Sequence, residues 1–195
     1  MASILKVDTI QDQSGNNIIN ENADTITIGA SGDTITVPTG ATISGALANT
    51  PAFYVYLSGS QSITSATFTK VQFNTEDFDT DSAFDSSTNY RFTVPSGEAG
   101  KYKFYFDLSG SSDSNDVTYV IAALYKNGSL IKRSEMNSNS TANAQFRRFQ
   151  VIASATLDLS VADYIEAYAY VNGTSPFVQA ATGNRSHFEG YKLIG

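Results

Sequence analysis

The chain of 195 residues has no cysteine, one histidine, and only twelve Lys and Arg against nineteen Asp and Glu. Without cysteine there is no disulfide, no thiolate nucleophile and no thiolate zinc site, so durability outside a cell must come from packing or from association of copies. A formal net charge of -7 argues against nucleic-acid binding, because phosphate contacts need clustered Lys and Arg to release counterions. The adjacent basic pairs Lys132-Arg133 and Arg147-Arg148 fall in strand-like stretches and read as solvated strand faces. No run approaches the ~20 apolar residues of a membrane span, which argues against membrane insertion. The start, "MASILKVDTIQDQ", lacks the apolar centre of a signal peptide. The expectation is a protein made in a cytosol that stays there or leaves inside an assembly.

Catalytic parts are missing too. A lone His187 in "SHFEGY" reads as a strand or interface residue, and no second histidine exists to build a metal triad. There is no G-x-S-x-G and no H-E-x-x-H, so nucleophilic and zinc hydrolysis lack their components. The reading is a protein that is not an enzyme.

What is abundant is strand chemistry: Ser, Thr, Asn and Gly, with 23 residues that are Tyr or Phe, and no sustained i, i+3, i+4 apolar stripe. Two textures divide the chain. Residues 1–49 hold no aromatic and a single Lys, and they repeat "DTITIG" and "DTITVP". There Ile26 and Ile28, then Ile35 and Val37, place apolar side chains on one face of short strands separated by "GASG" and "PTG" turns. So short a segment without aromatics cannot offset its chain entropy alone. Several copies winding around a shared axis would cover the Ile faces and close the strand edges.

Residues 50–195 read as one domain of short strands. They are expected at Phe53–Leu57, Thr67–Phe73, Asn89–Val94, Gly100–Leu108, Val117–Lys126, Ser129–Ser134, Gln145–Leu157, Tyr164–Val171 and Phe188–Leu193. In "KYKFYFDLS", Tyr102, Phe104 and Phe106 alternate with Lys101, Lys103 and Tyr105, the mark of a half-buried strand. "YKNGSLI" places Asn127-Gly128 at a hairpin turn whose central residues take positive φ. The fold class is all-β, a sandwich or jelly roll.

Four phrases then carry a resemblance. "YRFTVPSGEAGKYKFYFDLS", "ALYKNGSLIKRS", "ATLDLSVADYIEAYA" and the closing "SHFEGYKLIG" resemble, in that order, the strands of C1q-like globular heads. The resemblance implies a C1q/TNF-like jelly-roll β-sandwich that assembles as a homotrimer and binds partners through loops and crevices. The sequence departs from the pattern at Ala162, where the family has Gly. No collagen-type Gly-x-y run precedes the head, so the resemblance does not extend to a complement role. The first segment is similar to N-terminal stretches of tail-fibre and other virion proteins from phages of marine bacteria. That implies a β-repeat stem that contacts other virion proteins, localisation in the virion, and a head turned toward a host-surface glycan or protein.

Two sets of site residues follow. "NTEDFDTDSAFDSS" reads as an acidic loop in which Glu76, Asp77, Asp79 and Asp81, with Asp85, lie close enough in sequence to contribute to the about six to eight oxygen ligands that calcium takes. It lacks the EF-hand order and closing Glu; Asp113 and Asp116 form a smaller acidic pair. Sugar binding needs aromatic faces with amide and hydroxyl partners on loops. "MNSNSTANAQ" and "VNGTSPFVQAATGNRS" supply Asn139, Asn172, Phe177 and Arg185 as contact candidates. Two other roles fit the same architecture: a capsid decoration protein and a calcium-dependent lectin.

Overall fold

The computed structural model describes residues 9–11, 13, 17–22, 25–28, 32, 34–39, 50–138, 146–180 and 185–193. The chain divides into two compact units, Met1–Ile43 and Ser44–Gly195.

In the first unit β1 (Thr9–Gln11), β2 (Asn17–Asn22) and β3 (Thr25–Ile28) form an antiparallel sheet in that order. Its register sets Ile10 opposite Ile19 and Ile19 opposite Ile28. Ile10 and Ile28 are exposed. Ile35 and Val37, expected on a further strand, lie instead in a stretch without regular structure and are 63% and 47% exposed. That stretch ends at Pro38, which has no N–H to give to a ladder.

The second unit is a two-sheet sandwich. In chain order its strands are β4 (Ala52–Tyr56), β5 (Gln61–Ser62), β6 (Thr69–Lys70), β7 (Thr75–Asp79), β8 (Phe84–Asp85), β9 (Arg91–Thr93) and β10 (Gly100–Ser111). They continue as β11 (Tyr119–Lys126), β12 (Ser129–Asn137), β13 (Arg148–Leu159), β14 (Tyr164–Asn172), β15 (Phe177–Val178) and β16 (His187–Lys192). One sheet runs β5-β15-β10-β16-β4-β7, with β13 on the other side of β10. The second runs β12-β11-β14-β9-β8, with β6 beside β14. Every strand pairing is antiparallel, and no helix occurs among the described residues.

The alternation read in "KYKFYFDLS" is realised. Tyr102, Phe104, Phe106 and Leu108 point into the core from β10 and are fully buried, while Lys103, Tyr105 and Asp107 face outward. The centre of the core is aromatic: the Phe53 ring lies 5.2 Å from Phe84, 5.2 Å from Phe92 and 5.0 Å from Phe188. Truncating one such ring to Ala costs about 3–5 kcal/mol in buried sites. Gly190 of β16 lies against this cluster; a Cβ there would come within 2.5 Å of Phe104 and 2.8 Å of Phe53. The glycine of the closing phrase is therefore a packing requirement.

The expected hairpin takes the backbone it calls for. Asn127 and Gly128 have φ of 51° and 78°, the pair of positive values a tight hairpin needs. Ala162 has φ of 68°, so the position where the resembled family carries Gly is left-handed here as well. The two turns are tied together. Asn127 Nδ2 donates to Asp163 Oδ1 at 2.7 Å, the Tyr164 amide donates to Asn127 Oδ1 at 2.9 Å, and Lys126 Nζ sits 2.7 Å from Asp163 Oδ2.

Two expectations are corrected. Thr67–Phe73 contracts to Thr69–Lys70: Val71 N still reaches β14 through the Ala167 carbonyl at 2.9 Å, but the Gln72 amide turns to the Gln61 side chain, bonding Oε1 at 2.8 Å. The acidic stretch is no loop at its start. Thr75–Asp79 is a strand paired with β4, because Phe78 stands opposite Tyr54 and their rings stack at 6.4 Å.

Candidate functional site

Of the contact candidates, Phe177 lies at the end of the sandwich where β10 finishes. There Ser111 of β10 is opposite Arg148 of β13 on one side and opposite Phe177 of β15 on the other. Phe177 in turn is opposite Ser62 of β5. Since facing residues share a face, Ser62, Phe177, Ser111 and Arg148 form one row across four strands. A Cβ on the neighbouring Gly110 would come within 2.8 Å of Val120 and Val171 in the core, so Gly110 faces inward and Ser111, with its row, faces outward.

Backbone bonds fix this end. Ile63 N donates to the Pro176 carbonyl at 3.0 Å, Asp113 N to Thr174 at 3.2 Å, and Gln179 N to Ser109 at 2.9 Å. Asp116 joins two loops, accepting from Ser112 Oγ at 2.7 Å and from the Thr174 amide at 2.9 Å. The Thr174 hydroxyl, then Ser112, hold the Asp116 carboxyl below its ordinary range. Ser175 beside it has φ of 47°, a left-handed conformation that costs a residue with a Cβ about 1 kcal/mol. Strain of this kind concentrates where structure serves binding.

Two cavities border Phe177. One, of about 590 Å³, is lined by Ser60, Ser62, Ile63, Asp113, Ser175, Pro176 and Phe177. The other, of about 160 Å³, is lined by Ser111, Arg147, Arg148, Gln179 and the same Phe177. Phe177 is only half-buried, which leaves ring surface available. Ser111 Oγ donates to Gln179 Oε1 at 3.1 Å, and Arg147 Nε donates to the Ser112 carbonyl at 3.2 Å. Ser109 Oγ and Arg148 Nη1 are buried without a hydrogen-bond partner among the described residues, an uncommon state for native polar atoms. Arg148 is therefore not the solvated strand residue expected of "RR".

The other candidates are dispersed. Asn172 is exposed at the end of β14, where its carbonyl accepts from Thr118 N at 3.1 Å. Arg185 is exposed, and its carbonyl is held at 2.8 Å by Gln150 Nε2, which also donates to Asp107. Asn139 lies outside the described residues.

The calcium candidates are not gathered either. Glu76 and Asp77 follow one another on β7 and are exposed. Asp79 accepts from Ala83 N at 3.1 Å and Phe84 N at 2.8 Å, and Asp81 accepts from Thr80 Oγ1 at 3.2 Å. Asp85 accepts from the Ser87, Thr88 and Asn89 amides at 3.0, 2.8 and 3.0 Å; those bonds, Thr88 first, hold its carboxyl far below the usual range. These carboxylates serve turns. Among the described residues no three Asp, Glu or His side chains group as metal ligands.

No protein-family model and no curated protein matches the sequence. Solved structures do. The chain is similar to Eiger TNF from S. frugiperda, with TM-score 0.55 and 12% identity over 75% of this chain and 94% of that one. It is similar to murine APRIL, with TM-score 0.51 and 13% identity over 73% and 98%. The globular domain of zebrafish complement 1qA matches at TM-score 0.49 and 17% identity over 74% and 98%. The fold is a C1q/TNF-like jelly-roll sandwich.

Proposed function

We propose that this chain is a non-enzymatic phage virion protein, a homotrimeric tail fibre. In this reading residues 1–49 form a stem bound to other virion proteins, and the head offers its Phe177 end to a host-surface glycan or protein. Trimerisation multiplies weak contacts by avidity.

The observation that carries the reading is a half-buried aromatic face on the outside of the larger sheet. On the outward side of the larger sheet stand Tyr54 and Tyr56 of β4, Tyr105 of β10 and Tyr191 of β16. His187 stacks on Tyr54 at 5.0 Å, and Phe78 joins from β7. Lys103, Asp107 and Glu189 are the charges interspersed. A face so rich in tyrosine suits contact between proteins, and a second copy of the chain is the partner that the C1q-like resemblance implies. The exposed Ile10 and Ile28 of the first unit likewise call for cover by further chains.

The test has two parts. Light scattering of the full chain at micromolar concentration gives a trimer mass; a monomer overturns the assembly. Electron microscopy of particles labelled at the C-terminus of the protein shows label at the tail tip; label over the shell replaces the fibre with a capsid decoration protein.

A further inference from the structure

The row Ser62, Phe177, Ser111, Arg148 sets two unlike chemistries on either side of one aromatic ring. On the Ser62 side, the cavity of about 590 Å³ is in the size range of about 300–1,000 Å³ for small-ligand sites. Its lining pairs the apolar Ile63 and Pro176 with the serines Ser60, Ser62 and Ser175 and with Asp113. A carboxylate with hydroxyl neighbours accepts hydrogen bonds from vicinal sugar hydroxyls, and the half-buried Phe177 supplies an apolar face for the C–H side of a sugar ring. On the Arg148 side the cavity of about 160 Å³ is too small for a ring and suits one compact polar group. Its walls supply donors: Arg147 and Arg148 guanidinium groups and Gln179. An arginine fork matches a carboxylate in two-point geometry.

Of the three buried side-chain atoms without a hydrogen-bond partner among the described residues, Ser109 Oγ, Ser138 Oγ and Arg148 Nη1, the first and last belong to the β10–β13 pair at this end of the sheet. Ser109 is fully buried with Oγ unbonded, and Arg148 Nη1 is buried and unbonded among the described residues. They sit on adjacent strands, Ser109 opposite Gln150 and Arg148 opposite Ser111. Both are groups that a polar ligand atom or a water it carries would satisfy. Asp113 on the far side of Phe177 repels an anion and so fixes which end of an acidic ligand enters which cavity. Ser111 is six residues along β10 from Tyr105 of the aromatic face, about 20 Å at strand spacing, so the row and that face occupy different ends of the sheet.

From this geometry we infer that the head binds an acidic sugar, the ring of a uronic-acid residue lying on Phe177 with hydroxyls toward Asp113 and Ser62, and the carboxylate held by Arg148 and Arg147. The inference rests on the reading of the head as a surface-attachment module and names the ligand class for it.

Saturation-transfer difference NMR on the full-length protein tests it, with galacturonic acid, galactose and sodium acetate as probes. Galacturonic acid binds about tenfold more tightly than galactose, the effect of a charge-assisted hydrogen bond. Phe177→Ala abolishes binding of both sugars. Arg148→Gln brings galacturonic acid to the level of galactose and leaves galactose unchanged. Arg147 is exposed, and Arg147→Gln gives the same direction of change at the cost of one hydrogen bond, to the Ser112 carbonyl, with an unaltered circular dichroism spectrum as the check on its fold. Equal binding of the two sugars, no binding at millimolar sugar, or retention by the Phe177 variant overturns the inference. Displacement of galacturonic acid by equimolar acetate reduces the site to an anion hole and overturns it too. Attachment to bacterial cells is measured in parallel with labelled protein. Cell binding without galacturonic acid binding sinks the ligand class alone; galacturonic acid binding without cell binding sinks the attachment reading alone.

Discussion

Arg148 and Phe177 both stand opposite Ser111, one on each strand flanking the end of β10. A guanidinium and an aromatic ring from distant parts of the chain are thereby held one strand spacing either side of a buried hydroxyl. The placement is set by ladder register, which a single-residue slip would reverse.

The glycine at the core centre has a measurable role. Gly190→Ala places a methyl group on the Phe104 and Phe53 rings, and overpacking of this kind costs about 1–3 kcal/mol. Urea unfolding of the head shows the loss as a lower midpoint at unchanged slope. Gly59→Ala, where a Cβ meets open space, leaves the midpoint where it is.

At Ala162 the opposite substitution helps. The residue holds φ of 68°, where a Cβ is strained and glycine is not. Ala162→Gly raises stability by about 0.5–1 kcal/mol despite the greater entropy of the unfolded chain. A fall in thermal midpoint for this variant would show that the turn is not left-handed in solution.

Acid weakens the tie between the two hairpin turns. Lys126 first, then Asn127 and the Ser160 amide, lower the Asp163 carboxyl to about 2 from its ordinary 3.8. A depressed folded-state pKa adds stability that is complete above the unfolded value and vanishes as pH falls through the folded one. Thermal melts from pH 5 to pH 2 therefore decline, most steeply below pH 4. Asp163→Asn melts lower at pH 5 and declines less. Some decline remains in that variant, because Asp85 and Asp116 are also depressed.

Charge on the aromatic face separates copies. Tyr54→Glu with Tyr105→Glu places like charges beside Glu189 and Asp107, and light scattering of the double variant gives a monomer with an unaltered far-ultraviolet circular dichroism spectrum. Leu130→Glu on exposed β12 leaves the mass unchanged. A double variant that keeps the parent mass moves the self-association surface off this face.

Much of the head was legible in the sequence because its signals are local. Alternation in "KYKFYFDLS" marks the central strand, Asn-Gly marks the hairpin, and Ala162 stands out as the one departure in its phrase. Phe177 could be picked as a contact because an aromatic among Gly, Ser and Thr is conspicuous. Its partners could not. Arg148, Ser111 and Ser62 meet it through cross-strand register, and β15 is two residues long, too short to show a period. The acidic stretch misled for a related reason: its charged residues hide the alternation that brings Phe78 onto Tyr54, and Asp79 and Asp85 bond to amides a few positions ahead. In the first segment the repeated "DTI" falls on β1 at Thr9-Ile10 and on β3 at Thr25-Ile26, but no repeated phrase marks β2, whose Ile19 is set opposite Ile10 and Ile28 by pairing.

The acidic strand β7 closes one side of the larger sheet, pairing only with β4 among the described residues. Such a margin is a template on which another chain can grow. Glu76 and Asp77 line it with negative charge, and two copies meeting there would force carboxylates together. Where many heads are crowded at high local concentration, that charge acts as a fence that opposes edge-to-edge zipping into a fibril.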